Sequence, residues 1–192
     1  MKKFLYIIGS AIVIIAVWVI IANAAPVSYE DYIQNDFSDE KILFESDEIC
    51  FDNDTGKIIT SIGSEENSDY YSITIVNTTD GWFNNQYQTE TTYTYYNDAM
   101  AEIDKADSHI SDVTEVFNNG DQYGCFVGTV PISCKTLSFD GVEAQLIAQN
   151  ATIDGEDYNF YLYYLPAEYT ENAEIEYIDE NNQKMDIVIE HY

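Results

Sequence analysis

The sequence contains no arginine, and its seven lysines stand against 35 acidic residues, a formal net charge of −28 at pH 7. Nucleic-acid binding requires clustered Lys or Arg, so that class of function is excluded, and such a surface also repels anionic lipid headgroups. There are two histidines, His109 and His191. His109 flanks an apolar stripe, His191 is the penultimate residue, and no serine or cysteine stands in a nucleophile signature such as GxSxG. Three cysteines with no CxxC and no neighbouring histidine make a poor metal site. No internal repeat and no Pro- or Ser-rich linker divides the chain. What is plentiful is apolar and aromatic material, 46% and 15% of the residues, enough for a core and contrary to disorder.

Phe4 to Ile21 is an apolar run of eighteen positions with no charge, preceded by Lys2 and Lys3 and followed by the small-x-small triplet Ala22-Asn23-Ala24. This is an export signal, and two readings stand: a peptide cleaved after Ala24, or a retained anchor, since eighteen residues is near the minimum for crossing a bilayer. Both place the remaining chain on the outer side, because the lysines stay in the cytoplasm. If uncleaved, residues 4–21 make the membrane itself a partner. No cysteine lies near the end of the run, which excludes a lipid-modified N-terminal cysteine as the anchor. The organisation expected is therefore a signal peptide or signal anchor at 1–24, a polar tether or short helix at 25–40, and one acidic extracytoplasmic domain at 41–192.

Within that domain the texture is mainly that of strands. Residues 42–44, 48–51 and 57–62 read as strands, with Asp52 to Gly56 as a turn and 63–69 as a polar loop. In Tyr71 to Val76, alternate positions Tyr71, Ile73 and Ile75 share a face, and residues 86–96 are rich in Thr and Tyr. One long helix is expected over about 98–117, where Ala99, Ile103, Ala106, Ile110, Val113 and Phe117 recur at spacings of four and three, with Asn97 as cap and Asn118-Asn119-Gly120 as stop. A meander follows over 123–128, 132–139, 142–153, 156–165, 174–178 and 184–190, with Asp140-Gly141 and Asp154-Gly155 as type I′ hairpin turns. The switch of apolar parity at Leu146-Ile147 suggests a bulge, and residues 158–165, apolar on both faces, suggest a central strand covered on one side by the helix. The fold class expected is α+β: an antiparallel, meander-rich sheet packed against one long amphipathic helix. This order of elements is similar to that of secreted PsbP-like and cystatin-like domains, an architectural analogy with no residue motif to carry function across.

Few residues point to chemistry. A hairpin loop at Gly128 to Pro131 would set Cys125 directly across from Cys134, where a cross-strand disulfide is feasible outside the cytoplasm. Asp52 and Asp54 lie on a turn that superficially resembles a calcium loop, but its register departs from the EF-hand pattern. The triplets Asn53-Asp54-Thr55, Asn77-Thr78-Thr79 and Asn150-Ala151-Thr152 permit glycosylation without indicating it. Carboxylate pairs are certain by abundance alone, which leaves a polysaccharide hydrolase open and uninformed. Trp82, Tyr93, Tyr95 and Tyr96 are the candidate binding surface for an extracellular protein or polysaccharide. The reading favoured is a non-catalytic binding or structural domain without a cofactor, and the alternatives are a carboxylate-dependent hydrolase and a surface that binds divalent cations.

Overall fold

The computed structural model describes residues 28–51, 54–79, 86–105, 109–116, 123–168, 173–185 and 188–191. In chain order they form α1 (Tyr29–Asp36), β1 (Lys41–Glu45), β2 (Ile49–Phe51), β3 (Asp54–Glu65), β4 (Ser68–Thr79), β5 (Gln86–Tyr95), α2 (Asn97–Lys105), β6 (His109–Val116), β7 (Tyr123–Pro131), β8 (Cys134–Phe139), β9 (Val142–Glu143), β10 (Gln145–Ile153), β11 (Glu156–Glu168), β12 (Ile175–Asp179), β13 (Lys184–Met185) and β14 (Val188–His191). The strands make three sheets, ordered β1-β3-β4-β5 with β2 also on β3, then β10-β11-β7-β6-β14, then β13-β12-β8-β9. All described pairings are antiparallel except β14 on β6.

The alternation of side chains explains the layering. In β3 and β4, Ile58, Tyr71, Ile73 and Ile75 face the middle sheet and meet Val127, Ala151, Ile153, Phe160 and Leu162 in the largest apolar cluster. On the other side of the middle sheet, Phe126, Val130, Tyr163 and Leu165 meet Leu137, Phe139 and Tyr177 of the third sheet. On the outer side of the first sheet, Ile59 and Val76 are covered by Tyr32 and Phe37 from α1 and the turn after it. Residues 28–40 are thus part of the fold. Ser28 caps α1 by accepting from the Asp31 amide at 3.1 Å.

The expected long helix is corrected. Among the described residues of that range, Asn97–Lys105 is helical, burying Met100 and Ile103, while residues 109–116 form β6 between β7 and β14. The spacing of Ile110 and Val113 fits a helix, but Ile110, Val113, Thr114 and Val116 are β-branched, and pairing on both edges favours the pleated form. With the helix shortened and the strands divided among three sheets, the architectural analogy with PsbP-like and cystatin-like domains does not hold either. The bulge expected at Leu146-Ile147 is absent: β10 pairs β11 without a shift from Gln145↔Tyr164 to Ile153↔Glu156. Parity switches there because Leu146 packs toward the third sheet and Ile147 toward the first. β11 is central as expected, but a sheet lies on each of its faces, and α2 supplies only part of the cover.

The disulfide is also corrected. β7 does not fold back on β8; it runs on to Pro131, opposite Phe160, and Ile132-Ser133 carry the chain into the third sheet. Cys125 is therefore in register with Glu115 and Pro166, while Cys134 is a buried free thiol. The hairpin turns hold. Asp140 and Gly141 have φ of 49° and 79°, Asp154 and Gly155 of 51° and 84°, and Glu66-Asn67 at 51° and 73° make a third such turn inside the expected loop. Among the described residues no helix is long and apolar enough to cross a membrane, and residues 4–21 lie outside them.

Candidate functional site

Tyr93, Tyr95 and Tyr96 come from one strand end, and the pleat sends them to different places. Tyr95 is 0% exposed within the core, Tyr93 is half-buried against the same cluster, and Tyr96, just past β5, is 40% exposed. Among the described residues Tyr96 is the one aromatic side chain in the exposed class. Its ring meets that of Tyr70 edge to face, with centroids 6.0 Å apart and planes at 66°.

Tyr70 anchors a polar cluster on the outer face of the first sheet. It stands directly across from Gly63, and a Cβ there would fall 2.4 Å from the ring, so only glycine lets the ring lie flat over β3. The Tyr70 hydroxyl donates to Glu40 at 3.0 Å. Ser61 also donates to Glu40 and shares a 2.7 Å bond with Ser72, its cross-strand partner. Glu40 comes from the turn after α1, so docking of that helix delivers the carboxylate to the hydroxyl row. Burial first, and then the bond to Glu40, push the Tyr70 phenol up to about 12. The result is two rings, one half-buried carboxylate and two serine hydroxyls at one end of the sheet.

A second aromatic group lies further along the same face. Tyr29, Tyr32 and Tyr87 pack together, with Lys57 above the Tyr29 ring at 4.5 Å and paired to Glu45. Burial raises the Tyr29 phenol, and the neighbouring Glu45 carboxylate adds to this. These groups satisfy the packing of α1 and present little to solvent. In the main core, Thr60 donates to Gln149 at 3.0 Å, joining the first sheet to the middle one. Burial raises the phenol of the fully buried Tyr71 beside Thr60.

The other candidates are not brought into this site. Trp82 and Asp52 lie outside the described residues, and Asp54 opens β3 opposite Phe51. Among the described residues no group of three or more His, Cys, Asp or Glu side chains is arranged to hold a metal ion. His109 and His191 sit in β6 and β14, in register with Val188 and Asp112. Cys134 is shut in by Leu137, Phe139 and Tyr177, and burial pushes its thiol up to about 12. Sequence reasoning missed Glu40, Ser61, Ser72 and Tyr70. The signal available was Gly63 beside a polar loop, since a glycine within a strand marks a close approach by another group.

No protein-family model, curated protein or solved structure matches the chain.

Proposed function

We propose that the chain is a non-catalytic extracytoplasmic binding domain, held at or released from the outer face of the membrane, and that it uses the Tyr96–Tyr70–Glu40 surface to hold a neutral extracellular polysaccharide. The observation that carries this reading is the exposed Tyr96 ring, braced edge to face by Tyr70, beside the half-buried Glu40 carboxylate, which the buried Ser61 and the Tyr70 hydroxyl hold in place. Aromatic faces stack on the apolar faces of sugar rings, and a carboxylate at the rim accepts from sugar hydroxyls. The net charge of −28 disfavours polyanionic ligands, and the ring-stacking surface suits neutral chains. Export follows from the apolar run at 4–21.

Retention of the full chain, in detergent micelles, on insoluble neutral polysaccharides tests this reading. Tyr96→Ala is expected to weaken retention by about three- to tenfold, the scale of one aromatic contact, with the circular dichroism spectrum unchanged. Failure of every neutral polysaccharide to retain the chain, or equal retention by Tyr96→Ala, overturns it.

A further inference from the structure

Each sheet edge among the described residues carries some device against pairing with another chain, with one exception. β1 has a register shift and the charges of Lys41 and Glu45. β5 has a shift and Glu90, β9 and β13 have two residues each, and β14 has four, including Glu190. β10 has none of these. It is nine residues long, QLIAQNATI, without charge, proline or glycine, and its register on β11 runs unbroken. Edges of this kind pair with further strands unless something blunts them.

The turn fixes which groups face outward. Asp154-Gly155 is a two-residue turn with positive φ at both positions, so Ile153 and Glu156 form a hydrogen-bonded pair. Alternation then commits the backbone of 145, 147, 149, 151 and 153 to β11, and turns that of Leu146, Ala148, Asn150 and Thr152 outward. Ala148, Asn150 and Thr152 are exposed. The Asn150 and Thr152 side chains bond back to Asn159 and Asp157 of β11, and the Gln149 amide donates to the Ala148 carbonyl at 3.2 Å. The other outward backbone groups have no partner among the described residues.

We propose that β10 is the contact through which two copies of this chain associate, each adding its β10 antiparallel to the other about a twofold axis at Gln149. Charge selects the occupant. A cationic partner is drawn to the acidic faces that this neutral stripe interrupts, whereas a second copy, carrying the same −28, can approach only where charge is absent. The register about Gln149 overlaps all nine residues and sets Ala148 opposite Asn150 of the second copy, and Leu146 opposite its Thr152. These are the positions whose backbone groups face outward, so every outward group meets a partner. Asp154 of one copy then lies near Glu143 of the other at each end, and this repulsion makes association strengthen as salt screens it.

Sedimentation of the full chain in detergent micelles, over a range of protein and salt concentrations, tests the proposal. A monomer–dimer equilibrium shifting toward dimer with added salt is expected, and Ala148→Asp should raise its dissociation constant by at least about tenfold, since it sets like charges across the new strand pair. Circular dichroism of that variant should match the parent. Mixed Ala148→Cys and Asn150→Cys chains should form more disulfide-linked dimer than either alone. Monomer under all conditions, undiminished association of Ala148→Asp, or no excess cross-linking in the mixture overturns the proposal.

Discussion

At the level of single residues, the close contact between Gly63 and Tyr70 is the most demanding in the candidate site. Gly63→Ala forces the Tyr70 ring off β3 and breaks its bond to Glu40, at an expected cost of about 1–3 kcal/mol. In a Tyr70→Ala background the same substitution should cost much less, because nothing remains for the methyl group to meet; a double-mutant cycle by urea denaturation reads the coupling. Alkali acts on the same ring. The Tyr70 phenol, raised from 10.0 to about 12, holds its proton more tightly in the folded chain than in the unfolded one. Its contribution is therefore complete below pH 10, lost as the pH rises toward 12, and level beyond that. Tyr70→Phe should flatten this part of the stability profile, measured by denaturant midpoints across the range. Some of this scale was legible in the sequence. Asp140-Gly141 and Asp154-Gly155 declared their turns because both central residues must take positive φ, but burial of Tyr95 and exposure of Tyr96 depend on which way a pleat faces, and local residue preference does not set that.

Between β1 and β2 the ladder on β3 is broken, and Ser46 bridges the gap. Its amide donates to the Ile58 carbonyl at 2.9 Å, and its hydroxyl oxygen accepts from the Ile58 amide at 2.9 Å, so a side chain stands in for a missing backbone acceptor. Ser46→Ala leaves that buried amide unpaired, which costs about 1–3 kcal/mol. Faster hydrogen exchange at Ile58, compared with Ile75 across the sheet, would register the loss; equal rates at both would show that another group satisfies the amide. The strands around this point were readable in advance, since Tyr71, Ile73 and Ile75 alternate cleanly. The helix over 98–117 was not. Its stripe of four-and-three spacings runs through Ile103, Ile110 and Val113, and a few β-branched residues satisfy both periods by coincidence. Only the neighbours of β6, drawn from residues 123–131 and 188–191, decide between them.

For the whole molecule, composition indicated an acidic domain with ample material for a core, but the α+β fold expected, one sheet against one long helix, is replaced by three stacked sheets. Stacking joins residues far apart in sequence, as when Gln149 reaches Thr60 or Asp154 accepts from the Asp69 amide at 2.8 Å. The same distances give the fold an order in time. The first sheet is made of β1 to β5, neighbours along the chain, and needs only short loop closures. The middle sheet takes its edge from β14, in parallel beside β6, so the residues from 117 to 187 must be passed before β6 is held on both sides. Pulse-labelled hydrogen exchange during refolding should protect Ile73 and Ile75 before Ile110, and simultaneous protection would argue against a sequential course. If the chain is exported with Lys2 and Lys3 kept in the cytoplasm, as its N-terminal residues lead one to expect, the residues of the first sheet cross before those of the middle sheet, and that sheet's apolar inner face stays uncovered until the middle sheet arrives.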